Sequence, residues 1–468
     1  MRFIAALAAF LVCCGCTLGP NYQRPAVPLP AQFRGASEPA QTASIADQSI
    51  ADQKWMGLFN DPILVQLVNA AIERNFDLKI AAEHVLEARA QLGITRANQF
   101  PFIDGQVNFV TQGSSSLSSP LIPPGTNQKF SYTSGLATVS WDADIWGRLR
   151  RLTESARAQY LATEEGRRAV LVSLVGDVMN AYFTLLEEDL ELSIAQQTRD
   201  TANNNLRLVG IRHDRGAASS LDVYQAQQLL FTATAQIASV QRDIGQTEDA
   251  LSLLAGDAPH DIVRTAKLDQ VLLPPQIPAG LPSDLLVRRP DIRSAEENLI
   301  SANARIGAVR ASYFPDISLT GFLGSETRDL TSFLAPAARE FSVAEGTLFP
   351  IFHAGQIRNA IRLTEEQQKE ALVSYRKTIY SAMRDVSDAL VNHDDTRQQR
   401  GEEEKLVVAL DQTVRVATMR YQGGLDSYLQ VLDAQRNLFQ GQLTLAQLKL
   451  GETLSVVQLY RALGGGWQ

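Results

Sequence analysis

The most reactive side chains in this sequence are three thiols, and all of them lie near the N-terminus. Cys13, Cys14 and Cys16 follow an apolar run over residues 3–12. A run of this length suits a signal-peptide core and is too short to span a bilayer. No cysteine occurs after Cys16, so a disulfide framework is excluded for the body of the chain.

The spacing predicts a bacterial lipoprotein signal. Residues 1–15 would be the signal peptide, cleavage would follow Gly15, and Cys16 would be the lipidated first residue. The alternative is an ordinary leader whose small residues have no chemical role. One acyl chain anchors weakly, at ~0.8 kcal/mol per buried CH₂, so we expect a further attachment to the membrane. No later segment has about 20 uninterrupted apolar residues, so the sequence predicts no transmembrane helix. A membrane crossing would then need β-strands closed into a barrel.

No other residues predict catalysis. The chain lacks the motifs of serine nucleophiles, zinc proteases and nucleotide-binding loops. Its five histidines have no metal-ligand spacing. The net charge of -8, without a basic segment, argues against a nucleic-acid partner. We therefore expect no enzymatic activity, no metal and no cofactor.

An internal duplication organises the chain. Residues 77–103 align with 291–317, and residues 141–256 align with 349–464. Each copy contains a helix, a Phe-Pro pair, a polar region and two long helical patterns. Proline is absent from residues 125–258 and after residue 350, which favours uninterrupted helices there.

The long helices are predicted to form hairpins at about residues 147–254 and 355–462. The second helix of each hairpin has small or apolar residues in steps of three and four. In the first copy this seam is Val223, Ala226, Leu230, Ala233, Ile237, Val240, Ile244, Thr247, Leu251 and Leu254. In the second it is Val431, Ala434, Leu438, Gly441, Leu445, Leu448, Glu452, Ser455, Leu459 and Ala462. Helices this long must pair along their length, as in coiled coils or a helical wall.

Each copy also predicts two strands, at about residues 102–112 and 130–141, and at about 316–325 and 341–349. Apolar and polar residues alternate over residues 102–111. This alternation is typical of transmembrane strands around a wet lumen. Ordinary surface hairpins are the alternative. Four strands cannot close a pore-sized barrel, so several chains would have to contribute.

Four motifs support a family resemblance. They are CTLGPNYQRP at residues 16–25, LLVRRPDIRSAEENL at 285–299, ASYFPDISL at 311–319 and RYQGGLDSYLQVLDAQRNLF at 420–439. Together with the duplication, they resemble the TolC-type outer-membrane efflux channel family. The match is to its lipoprotein branch, the OprM- and NodT-like outer membrane factors of RND tripartite pumps. The resemblance covers essentially the whole mature chain.

The resemblance implies a mixed α/β membrane protein that forms a homotrimer. Each chain would give four strands to a 12-stranded β-barrel, continuous with a long periplasmic α-helical barrel and an equatorial domain. Residues 16–60 would be the N-terminal arm, 61–256 and 283–464 the two repeats, and 257–282 an equatorial linker.

The resemblance also implies a passive exit duct of a tripartite efflux pump that conducts drugs or other small molecules. The implied partners are a periplasmic adaptor (a membrane fusion protein) and an inner-membrane RND transporter. The implied location is the bacterial outer membrane, with a lipid anchor and an extension into the periplasm.

The candidate functional residues lie where the long helices meet, at turns that contain Gly216 and Gly424. By resemblance, the second turn closes the periplasmic mouth. Leu429 would form an apolar ring and Asp433 an acidic ring, while the gate tethers would be Arg420 and Tyr421. Converging leucines restrict a pore by dewetting, and a ring of carboxylates attracts cations. The alternative is that Leu429 only packs against helices and Asp433 is a solvated helix residue.

Two other functions remain open. One is an exit duct for ABC-driven (type I) protein secretion, and the other is a lipid-anchored coiled-coil scaffold without a pore. The transported substrate is not readable from the sequence. The small number of methionines weakly disfavours a thioether path for soft metals.

The lipoprotein signal has a direct test. Cys16→Ser removes the only thiol that the mature chain would carry, so metabolic labelling with a radioactive fatty acid should be lost. Wild-type protein that also takes up no label would contradict the lipoprotein interpretation.

Overall fold

The computed structural model describes residues 17–35, 59, 61–113, 129–271 and 282–465. The predicted signal peptide and Cys16 lie outside these residues, as do parts of the predicted arm and linker. The helices are α1 (Pro62–Arg74), α2 (Phe76–Ala97), α3 (Arg148–Asp214), α4 (Ser220–Leu254), α5 (Leu285–Arg288), α6 (Pro290–Ala311), α7 (Gln356–Gln422) and α8 (Tyr428–Ala462). The strands are β1 (Phe102–Gly113), β2 (Lys129–Asp142), β3 (Asp316–Thr327) and β4 (Arg339–Leu348).

The duplication is visible in the lengths of the helices. Both α3 and α7 have 67 residues, and both α4 and α8 have 35. The chain divides into two compact units. One consists of Met1–Ala26, Val85–Thr163 and Ala295–Tyr375 and contains the strands. The other consists of Val27–His84, Glu164–Ser294 and Arg376–Gln468 and contains both turns of the helical hairpins.

The strands form one antiparallel sheet in the order β1-β2-β3-β4. Ile103 pairs with Val139, Val139 with Gly321, and Gly321 with Val343, so these residues form one row on one face. The same face presents a set of exposed apolar side chains, which are Ile103, Val107, Phe109, Val139, Leu319, Leu323, Phe341 and Val343. The opposite face is mostly polar, although it includes Tyr132, Leu136 and Phe322. The alternation predicted for residues 102–111 is therefore confirmed in β1, and the other three strands share the same two faces.

Both edges of the sheet lack a neighbour. In the described part of the chain, β1 pairs only with β2, and β4 pairs only with β3. An apolar face with two unpaired edges cannot be placed in lipid by one chain, because every backbone polar group there needs a partner. The sheet is therefore complete only when other strands pair with both edges.

Two of the sequence motifs contact each other in the strand-containing unit. Arg24 of NYQRP donates from Nε to Glu296 Oε1 at 2.7 Å, and its guanidinium also pairs with the second carboxylate oxygen. The Tyr22 hydroxyl donates to the same Glu296 at 3.0 Å. Nearby, Arg151 of α3 donates to Asn21 Oδ1 at 2.8 Å and to the Leu18 carbonyl at 3.1 Å. The segment that follows the predicted lipid anchor is thus fastened to the folded unit by charge-assisted hydrogen bonds.

The predicted seams of α4 and α8 are confirmed. Every seam position in both helices is buried or half-buried. Several apolar residues of α4 off the seam remain exposed, including Leu221, Tyr224 and Phe231 at 63%, 66% and 64%, whereas Leu229 is buried. The many small seam residues let the paired helices approach closely, as the periodicity requires.

The apolar content of α3 is concentrated in one stretch. By length and composition alone, α3 could cross a membrane, because one 18-residue window has a mean hydropathy of 1.7. Of that window, 56% is buried inside the protein, as in the core helix of a folded domain. Length and composition therefore do not separate a membrane span from internal packing for this helix, which the sequence predicts not to cross a membrane.

A buried carboxyl group lies on α3. Glu187 is only 6% exposed, and its Oε1 has no hydrogen-bond partner among the described residues. Burial raises the pKa of Glu187 to about 8, with further contributions from Glu191 and Glu188. Burial also raises the pKa of Glu188, which accepts a hydrogen bond from Thr247 of α4 at 2.9 Å. We therefore expect Glu187 to hold a proton at neutral pH.

This proton predicts a pH dependence of stability. Glutamate in the unfolded chain titrates near 4.5, so the folded state binds the proton more tightly. The stabilising contribution is complete below pH 4.5 and is lost as the pH rises through about 8. Glu187→Gln should flatten this decline and raise the melting temperature at alkaline pH, as measured by thermal unfolding in detergent. The exposed Glu370→Gln is the matched control, and identical pH profiles for both variants would contradict the prediction.

Candidate functional site

The two helical turns have the same backbone geometry. Gly216 and Gly424 lie in the left-handed region, with φ of +73° and +71°. The amide of Gly216 donates to the His213 carbonyl at 2.8 Å, and the next amide donates to the Arg212 carbonyl at 2.7 Å. Gly424 and its successor repeat both bonds to Tyr421 and Arg420, at 3.0 and 2.9 Å. Each turn is thus a Schellman cap, in which a glycine relieves the steric cost of positive φ.

The helices that follow the turns begin differently. Before α4, Ser219 accepts from the Asp222 amide at 3.2 Å, and Asp222 accepts from the Ser219 amide at 2.8 Å. This reciprocal capping box satisfies amide groups that the helix leaves free. Before α8, Ser427 makes no side-chain capping hydrogen bond. The first turn is therefore closed by its own cap and the second is not.

An ion pair takes the place of the cap in the second turn. Arg420 Nε and Nη2 lie 2.5 and 3.2 Å from the two oxygens of Asp426. The hydrogen bond from Arg420 lowers the pKa of Asp426 below its usual value. Both partners are partly exposed, so this pair orients the turn more than it stabilises it. The structure thus places the predicted tether Arg420 within its own turn.

Tyr421, the other predicted tether, contacts the first hairpin. The Arg212 guanidinium lies over the Tyr421 ring, 4.6 Å from its centroid, and Arg212 Nη1 donates to the Tyr421 carbonyl at 3.4 Å. The ring also packs edge-on against Tyr428, with centroids 5.3 Å apart. Tyr421 therefore bridges the two hairpins through the face of its ring.

A hydrophobic cluster joins the two hairpins beside the turns. Its buried members are Ala202, Val209, Ala226 and Leu229 from the first hairpin and Ala417, Tyr428, Val431, Leu432 and Ala434 from the second. Small and β-branched residues dominate it, which permits close approach of the four helices. The second hairpin is therefore docked on the first in this structure.

Leu429 and Asp433 lie away from this cluster. They are one helical turn apart on α8, and their neighbours Tyr428, Val431 and Leu432 face the cluster. Leu429 is 51% exposed. Asp433 is also exposed and accepts a hydrogen bond from Asn437 Nδ2 at 3.3 Å. The face with an apolar side chain followed by a carboxylate is thus available to line a pore.

Sequence reasoning missed Arg212 and Asp426. Arg212 is the copy of Arg420, 208 positions earlier, so the duplication was a usable signal. Asp426 corresponds to Ala218 in the first copy, and only the folded turn shows that it pairs with Arg420. Across the described ranges, no three His, Cys, Asp or Glu side chains are grouped so as to hold a metal ion.

A family model describes most of the chain. The model "Outer membrane efflux protein" matches residues 67–257 and 281–465. A relative from Pseudomonas putida, "Solvent efflux pump outer membrane protein SrpC", is 40% identical over 98% of this chain and 97% of its own. "Cation efflux system protein CusC" from Escherichia coli O6:H1 is 36% identical over 97% of this chain and 96% of its own. "Probable outer membrane lipoprotein SilC" from Salmonella typhimurium is 33% identical over 99% and 98%.

Solved structures extend the similarity to the fold. The open state of the Neisseria gonorrhoeae MtrE outer membrane channel superimposes with a TM-score of 0.86. It is 30% identical, and the match covers 97% of this chain and 99% of that one. The similarity therefore includes both the strands and the helical hairpins described above.

The two adjacent glycines of the second turn allow a sharp test of its geometry. A Cβ at Gly424 would meet no atom within 4 Å, so Gly424→Ala costs only backbone strain, about 1–2 kcal/mol. We expect a lower melting temperature and faster hydrogen exchange at the start of α8. Gly423→Ala is the matched control, because Gly423 lacks a positive φ and its nearest contact is an ordinary 3.4 Å. Equal effects of both substitutions would contradict the interpretation.

Proposed function

We infer how this protein works from one premise: the chain belongs to the outer membrane efflux protein family. It is an outer-membrane channel through which an efflux pump discharges its substrates. Its fold class is that of the family's trimeric channels, in which each chain contributes four strands to the barrel and its helices to the periplasmic duct. The observation that carries this function is the sheet, which among the described residues has one apolar face and two unpaired edges, as a segment of a barrel completed by further chains would.

For the pump partners, we propose a periplasmic adaptor and an inner-membrane RND transporter. Membership of an efflux pump supports these partners, since an outer-membrane duct has no energy source of its own. The periplasm also separates it from the inner membrane, where a transporter would lie. We further propose that the channel does no chemistry and binds no cofactor. Energy and most of the substrate selection would come from the transporter.

We propose small organic molecules, such as solvents or drugs, as the substrate class. The relative with 40% identity is named for solvent efflux, whereas CusC, at 36%, is named for cation efflux. Deletion of the gene, followed by growth on panels of solvents, antibiotics and metal salts, would separate these classes.

The proposed gate is the exposed face of α8 at the second turn. Leu429 would form the apolar constriction and Asp433 the acidic ring one turn further along. Both side chains are exposed next to the cluster that joins the two hairpins, which supports this proposal. The first copy differs, because Gln225 occupies the position of Asp433.

The proposed lipid anchor at Cys16 would attach the chain to the membrane together with the barrel. The hydrogen bonds of Tyr22 and Arg24 to Glu296 would connect the anchored segment to the folded chain.

Single-channel recording in planar bilayers tests the gate. Leu429→Ala should widen the constriction. Asp433→Ala should replace the ring of carboxylates, and the cations that they hold in the constriction, by small methyl groups, so both variants should raise conductance. Cells that carry either variant should become more sensitive to large antibiotics. Leu221→Ala is the matched control, because Leu221 is the exposed equivalent of Leu429 in the first copy.

The possible outcomes separate the rival functions. Unchanged conductance in both gate variants, with a conducting wild type, would exclude this gate. Silence of the wild type and of every variant would favour the poreless scaffold.

A further inference from the structure

Arg212 differs from its duplicate in the partner that it contacts. Arg212 and Arg420 occupy the same position in two equivalent Schellman turns. Arg420 has Asp426 within its own turn and forms a two-point ion pair with it. The residue that corresponds to Asp426 in the first turn is Ala218, which has no charge. Arg212 therefore lacks the equivalent carboxylate and reaches across to the second hairpin.

The aromatic partner of Arg212 is also present in only one copy. Arg212 lies over the ring of Tyr421, and the residue equivalent to Tyr421 in the first turn is His213. Tyr421 in turn packs against Tyr428, which belongs to the cluster that docks the hairpins. The cation, the ring and the cluster thus form a continuous contact from α3 to α8.

The hydroxyl of Tyr421 has no part in this contact. It is buried and has no hydrogen-bond partner in the part of the chain that the structure describes. The carboxylate of Asp222 lies close enough to act electrostatically on Tyr421. Its Oδ2 accepts hydrogen bonds from the amide and hydroxyl of Ser219 in the capping box, and neither of its oxygens accepts one from the Tyr421 hydroxyl. The ring face, and not the hydroxyl, is therefore the part of Tyr421 that connects the two hairpins.

We propose that Arg212 is a positioning residue of the gate: it latches the second hairpin to the first through a cation–π contact with Tyr421. The proposal rests on the proposed gate function of α8. With the latch closed, Leu429 and Asp433 are held in place, and release of the latch frees the hairpin to move. The contact is partly exposed, so its loss should shift the ratio of open to closed gates about two- to fivefold per latch.

Substitutions can separate the ring from the hydroxyl. Tyr421→Phe keeps the ring and should leave conductance at the wild-type level. Tyr421→Leu keeps an apolar side chain against Tyr428 but removes the π face, so it should raise conductance. Arg212→Ala should raise conductance to a similar extent, and Arg212→Lys should have a smaller effect. Arg207→Ala removes an exposed arginine of the same helix and is the matched control for charge.

A direct distance measurement provides a readout that does not depend on the gate. Spin labels on cysteines introduced at the exposed Ala217 and Gln422 report the separation of the two turns. Arg212→Ala and Tyr421→Leu should each broaden the distance distribution toward longer values, and the double variant should add little to either. Heat-resistant trimers on gels would show that each variant folds and assembles.

Three results would overturn the latch. The first is a rise in conductance in Tyr421→Phe equal to that in Tyr421→Leu, because the hydroxyl would then be the tether. The second is a conductance of Arg212→Ala equal to that of the wild type, together with a raised conductance of Leu429→Ala. The gate would then stay closed without this latch. The third is an unchanged distance distribution in Arg212→Ala. If Leu429→Ala and Asp433→Ala leave conductance unchanged while Arg212→Ala still broadens the spin-label distances, the latch is supported and the gate assignment is wrong.

Discussion

The unpaired edges of the four-stranded sheet are the constraint on which the rest of this protein depends. Backbone groups in lipid must be hydrogen-bonded, and β1 and β4 each have one edge that no strand of the described part of the chain pairs with. The apolar face that runs through Ile103, Val139 and Val343 can meet lipid only once those edges are paired with strands of other chains. A channel built this way forms only after several chains have assembled. The helices that each chain contributes are therefore arranged around a shared axis, where a single side chain is present as a ring.

The two copies have helical hairpins of equal length but differ in the side chains around their turns. The backbone of both turns follows the same Schellman geometry, because both have a glycine at the position of positive φ. The side chains diverge around that common frame. A capping box closes the first turn, whereas the second depends on the ion pair between Arg420 and Asp426. The second turn therefore has the weaker local closure, as the proposed gate would require of a hairpin that moves against the first.

Much of this architecture could be predicted because its signals are local. Period-two alternation identifies strands, steps of three and four identify the seams, and proline-free tracts identify the long helices, since each depends on neighbours in sequence. The proposed gate residues were reached only through the resemblance, because Leu429 and Asp433 in isolation are an ordinary leucine and aspartate. Arg212 was missed for a different reason. Its partner Tyr421 lies 209 positions away, and no local pattern distinguishes an arginine that pairs within its turn from one that reaches across.

The sequence by itself determined the duplication, the strand faces, the seams, the glycine turns and the candidate lipid anchor. These depend on backbone preference and periodic burial, which are properties of short stretches of chain. The tertiary structure alone decided which side chain each arginine contacts: Arg24 contacts Glu296, Arg420 contacts Asp426, and Arg212 contacts the ring face of Tyr421. It also decided that Glu187 is buried beside the carboxylates of Glu191 and Glu188, which together with burial raise its pKa. Long polar side chains can reach several neighbours, and only the packed helices select which one each of them meets.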